Sequence, residues 1–136
     1  MPCSALGERL KRRATGGLVV FERLKLKRAL AKIMSKLKLS ADTLYLFQRG
    51  IDEILPEMKK RNLDPAQACV MLISNALVRG ATNGALRMTK EEAPSVYAEM
   101  KILWVFCGEC VIKDYDRFAP VWVVGGLKGS PFDEVK

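Results

Sequence analysis

The stretch DPAQACVMLISNALVRG, residues 64–80, decides the fold class. Asp64 offers an N-cap oxygen, and Pro65 sits at the first helical position, where a missing N–H is harmless. Gln67 stands three residues after the cap, where its side chain can reach back to the cap's own N–H. The residues that follow are apolar on most faces, the pattern of a helix buried on all sides rather than one lying on a surface. Gly80 suits the left-handed residue that ends such a helix, leaving GATNGALRM (80–88) as a loop.

Upstream, residues 18–38 also read as a helix. Leu26, Leu30, Ile33 and Leu37 recur at steps of 4, 3 and 4, so they share one face. Ser40 caps a further helix with Asp42 in its first turn, and Leu44, Phe47, Ile51, Ile54 and Leu55 keep its spacing. Pro56 is expected to kink or stop that helix, because proline lacks a donor and its ring crowds the preceding turn. Ser4 can cap a short helix over ALGERLKRR, closed by Thr15-Gly16-Gly17.

Downstream, Thr89 and Glu92 form a possible capping box for the last long helix, whose start Pro94 can reset. Val96, Met100, Leu103, Trp104, Cys107 and Val111 align along it. Short strands are expected near Val19, where β-branched residues follow Gly-Gly, and near Trp122 in VWVVGG. The expectation is a mainly α fold: a small bundle of four to five helices with one or two short strands. Residues 1–136 form a single domain with a basic first quarter and a short tail at about 127–136.

Composition agrees with a folded, water-exposed chain. Apolar residues make up 49%, the mean hydropathy is +0.03, and the longest apolar run, 102–107, is far short of the roughly 20 residues that span a bilayer. No membrane is expected among its partners. Four cysteines without a secretory signal suggest a reducing, intracellular location, cytoplasmic or nucleoid/nuclear. There is no histidine, which removes the commonest general acid–base and the commonest zinc ligand, and with them Ser-His-Asp and Cys-His catalysis.

Cys107-Gly108-Glu109-Cys110 has a spacing used for zinc binding and thiol exchange. A structural zinc site needs four ligands, and Cys3 and Cys69 are single and distant. ILWVFCGEC (102–110) resembles the strand-then-helix active site of the thioredoxin family, which implies a redox role for the pair. The resemblance covers about ten residues: 26 residues follow Cys110, and helices rather than alternating strands precede it. In a helical register Cys107 shares the face of Trp104 and Val111, which buries the thiol and makes it inert. No catalytic residue, metal or cofactor is therefore expected.

Charge carries the functional expectation. Residues 1–38 hold eleven basic and two acidic side chains, a net +9, whereas the other residues hold twelve and thirteen, a net −1. Lys25, Arg28, Lys32 and Lys36 recur at helical steps of 3, 4 and 4 beside the apolar residues, which makes an ordered basic stripe along a neighbouring face. Arg12, Arg13, Arg23 and the cluster Lys59, Lys60, Arg61 extend it. Such asymmetry points to a polyanion. The expected function is non-enzymatic contact with the phosphate backbone of DNA or RNA, without sequence readout, as a small subunit of a larger nucleoprotein complex. In size and charge the chain is similar to the small helical subunits of multi-subunit RNA-guided complexes, with no shared motif. Protein partners or self-association are also expected, and the alternative is a protein-interaction module whose basic face meets an acidic partner.

Overall fold

Asp64 caps the central helix as its spacing demands: its Oδ1 accepts the Gln67 N–H at 2.8 Å, and Gln67 Oε1 accepts the Asp64 N–H at 3.0 Å. The computed structural model describes residues 20–122 and 129–135. Within them α1 covers residues 20–36, followed by α2 (Ala41–Gln48), α3 (Ile51–Lys60), α4 (Pro65–Asn83), α5 (Ala85–Glu92), α6 (Pro94–Lys113) and the one-turn α7 (Tyr115–Phe118). Short 3-10 turns follow at Ala119–Val121 and Pro131–Glu134. Helix α4 is the hub. It buries Ala68 through Ser74, Leu77 and Gly80, and packs against α2, α3, α5, α6 and α7. Leu26, Leu30 and Met34 bring α1 into the same core.

The mainly α expectation holds, but several boundaries move. The helix capped by Ser40 breaks at Arg49-Gly50, not at Pro56. A Cβ at Gly50 would lie 3.7 Å from a methyl of Leu72, so the turn seats its backbone closely on α4. Pro56 instead lies inside α3, where the one hydrogen bond it forgoes is offset by burial of Ile51, Ile54 and Met58 on the helix it occupies. The chain does break between Leu55 and Asp64: Asn62 takes a left-handed conformation (φ 51°) and Leu63 N–H reaches back to Met58 O at 2.9 Å.

Helix α4 runs past Gly80 to Asn83, and Gly84 (φ 83°) is the left-handed residue that separates it from α5. Gly80 serves closeness rather than capping, since a Cβ there would meet Leu86 Cγ of α5 at 3.1 Å. The stretch read as a loop is thus mostly helix. Thr89 and Glu92 belong to α5, and Pro94 starts α6. These splits turn four or five expected helices into seven among the described residues.

No strand occurs among the described residues. Val20 is already helical, Val19 and the helix expected after Ser4 lie outside the described residues, and Trp122 is extended but donates its N–H within a turn to Ala119 O (3.3 Å) and sets its ring on Trp104 (centroids 4.4 Å apart). The expected tail is docked where it is described: Pro131 is buried and Phe132 meets the Tyr97 ring edge-on at 5.4 Å.

Two carboxylates tie the helices together. Glu99 on α6 accepts the hydroxyls of Thr43 (2.7 Å) and Ser40 (2.9 Å) and the Ser40 N–H, so α6 supplies part of the cap of α2. Asp64 also accepts Arg117 Nε at 2.9 Å, joining α4 to α7. Partial burial pushes both carboxyls upward. At Asp64 the hydrogen bonds of Arg117 and Gln67, and at Glu99 those of Ser40 and Thr43, outweigh it and hold each below the ordinary carboxylate range. A group depressed in the folded state contributes stability that is present above its unfolded pKa and lost as pH falls through the folded one. The urea midpoint should therefore decline as pH drops below about 4. Glu99→Gln and Asp64→Asn together should flatten that acid limb; an unchanged limb would count against these anchors.

Candidate nucleic-acid interface

At about 100° per residue, burying Leu26, Leu30 and Met34 turns the opposite face of α1 to solvent. The face opposite the core carries Lys25, Arg28, Lys32 and Lys36; Lys27 stands at the edge of the inward face, Arg23 continues that face one turn before Leu26, and Lys38 follows the helix with a left-handed backbone (φ 58°), and all seven are exposed. The inward face is centred on Leu30 and extends to Met34, while Ile33 at its other edge and Leu37 just past the helix are half-buried.

The expected site residues divide by what they already hold. Arg23 pairs with Asp52 in the first turn of α3. Lys25 lies 3.7 Å from Glu22 and 4.5 Å from the centroid of the Phe21 ring. Arg61 donates Nη2–H to the carbonyl of Pro120 at 2.9 Å, which makes it a clamp between α3 and the turn after α7. Arg28, Lys32 and Lys36 have no ion-pair partner among the described residues, nor do Lys59 and Lys60 at the end of α3. Lys60 stands about 12 Å along α3 from Asp52, the point where Arg23 meets that helix. Arg12 and Arg13 lie outside the described residues.

The fold adds basic groups that sequence spacing alone does not connect. A shallow cleft lies between α1 and the α2–α3 turn, lined by Arg23, Lys27, Tyr45, Gln48, Arg49 and Asp52. Tyr45 is exposed, and the Arg49 guanidinium lies 5.5 Å from its ring centroid. An aromatic face beside two unpaired cations can stack an unpaired base and hold its phosphate. On α6, burial raises the Cys110 thiol, and the opposing charges of Lys113 and Glu109 only partly offset one another. Tyr45 and Arg49 are missing from the sequence expectations, and their separation of four residues, one helical turn, is the signal that pairs them.

CGEC is part of one continuous helix, so the strand of a thioredoxin-like site is absent from residues 102–110. Each member faces a different way. Cys107 is fully buried, Gly108 lies under Trp122 (3.6 Å from the position of a Cβ), Glu109 is exposed, and Cys110 is half-buried. Burial pushes Cys107 well above the ordinary thiol range and Cys69 up to about 12. Among the described residues no group of three or more cysteine or carboxylate side chains is gathered to hold a metal. Cys107→Ser should cost about 1–3 kcal/mol by burying a hydroxyl on an apolar face. Under native conditions an alkylating reagent should leave Cys107 unmodified until the chain unfolds. Prompt native labelling of Cys107, or stoichiometric zinc, would contradict this arrangement.

Among the described residues no helix is long and apolar enough to cross a membrane. No protein-family model matches the chain, and comparisons with curated proteins and with solved structures find no match.

Proposed function

We propose that the protein is a non-enzymatic nucleic-acid-binding protein that contacts the phosphate backbone of DNA or RNA without reading sequence, as a small subunit of a larger nucleoprotein complex. The observation that supports this reading is the state of Arg28, Lys32 and Lys36. They line an exposed face of a helix whose opposite face is fixed in the core, and no carboxylate among the described residues neutralises them. An ordered cation row with no internal partner suits a regular row of phosphates. Lys27, Arg49 and Tyr45 add a second patch able to take a single strand.

Fluorescence anisotropy with labelled oligonucleotides across a salt series tests it. With about six phosphate contacts, affinity for duplex should fall as roughly the fifth power of salt concentration, equally for unrelated sequences. Absence of binding to any DNA or RNA at low salt would leave an acidic protein partner as the better reading. That alternative uses the same charges, since a carboxylate-rich surface can also complement the row.

A further inference from the structure

The side chains that α6 turns away from the core are not those of a solvated helix face. Ile102, Val105 and Ile112 are 44, 58 and 84% exposed. Leu37 and Phe106 line the same shallow groove as Ile102 and Val105, together with Lys101 and Glu109. Val105 marks the middle of this face: Ala98 and Ile112 lie about 20° to either side of it, Lys101 and Glu109 about 40°, and Ile102 and Gly108 about 60°. Lys101 and Glu109 have opposite charge but stand about 12 Å apart along the axis, too far to pair within one helix. Neither has an ion-pair partner among the described residues, although Lys101 Nζ lies 5.0 Å from the Tyr97 ring centroid.

We propose that this face of α6 packs antiparallel against the same face of a second copy of the chain, with the two-fold axis at Val105. In an antiparallel pair, residues equally far before and after the axis come level across the seam. Lys101 precedes Val105 by four residues and Glu109 follows it by four, so each Lys101 meets Glu109 of the other copy, twice by symmetry. Ala98 meets Ile112 in the same way, small against large, and Val105 meets itself. A parallel pairing would set Lys101 on Lys101 and Glu109 on Glu109. Opposite charges set equally far before and after one residue let the face complement itself in the antiparallel arrangement. Trp122 borders the seam beside Gly108, and Leu37 borders the other side. One helix face buries less than the roughly 800 Å² per partner of a standard interface, so the dimer should be reversible.

This inference is independent of nucleic-acid binding, and its test contains none. Sedimentation equilibrium of the full chain across the micromolar range should show a monomer–dimer equilibrium. Val105→Glu, which sets two carboxylates against each other on the axis, should give a monomer with an unchanged far-UV CD spectrum. Lys101→Glu and Glu109→Lys should each weaken the dimer about tenfold or more, and combining them should restore it. A monomeric wild type would leave the face to a different protein and overturn the proposal. So would a dimer indifferent to Val105→Glu, or a combined Lys101→Glu/Glu109→Lys protein no stronger than its single variants.

Discussion

Replacing both Arg28 and Lys32 by Glu is expected to weaken oligonucleotide binding by on the order of 100-fold near physiological salt, and to flatten the salt dependence by about two units in log–log slope. Each lost cation removes a phosphate contact and the counterion release that goes with it, and each added carboxylate repels the same backbone. Neither residue has an ion-pair partner among the described residues and both are exposed, so the fold should be untouched, within about 0.5 kcal/mol per substitution. The loss should be equal for unrelated sequences, because phosphates position a protein without distinguishing bases. Arg61→Ala is the informative comparison. Its guanidinium is already committed to Pro120 O, so stability should fall while the salt slope changes little. Asp114→Asn and Asp116→Asn should leave binding almost unchanged. Double reversal with no effect on binding would remove the α1 row from the interface.

The expectations that survived rest on local chemistry. Asp64-Pro65…Gln67 fixes a helix start from four residues, and Ser40 does the same for α2, because capping hydrogen bonds close within one turn. Periodicity found the inward residues Met100, Leu103 and Cys107 of α6. What failed depended on packing between elements. Pro56 and Gly80 both look like helix ends in isolation. Burial of Ile54 and Met58 holds the helix through the proline, and Leu86 of the next helix uses the space a side chain at Gly80 would fill. Glu99 as a supplier of the α2 cap is 59 residues from Ser40 and carries no signal in the sequence. The basic row was legible because it is a local helical pattern. That Arg23 and Arg61 are held by Asp52 and Pro120 was not, since both partners come from other segments.

Met34→Ala is expected to destabilise the fold by about 2–5 kcal/mol, whereas Leu24→Ala on the same helix should cost less than about 1 kcal/mol. Met34 is 2% exposed and sits with Leu26 and Leu30 in the core, while Leu24 is 41% exposed. Removing a packed side chain leaves a cavity that the surrounding helices cannot fully close, and removing an exposed one only returns a little surface to water. Urea denaturation of the two variants compares them directly, and equal losses would mean that α1 docks on a different face. The same pair separates the platform from the charges it carries. Met34→Ala leaves every cation of α1 in place, so any loss of oligonucleotide affinity should appear as a smaller fraction of folded, docked helix, with an unaltered salt slope. Charge reversal does the opposite: it changes the slope and spares the fold. If Met34→Ala flattened the slope as the double reversal does, the cations would be acting without the rigid helix, and the row on α1 would be an unstructured basic segment in effect.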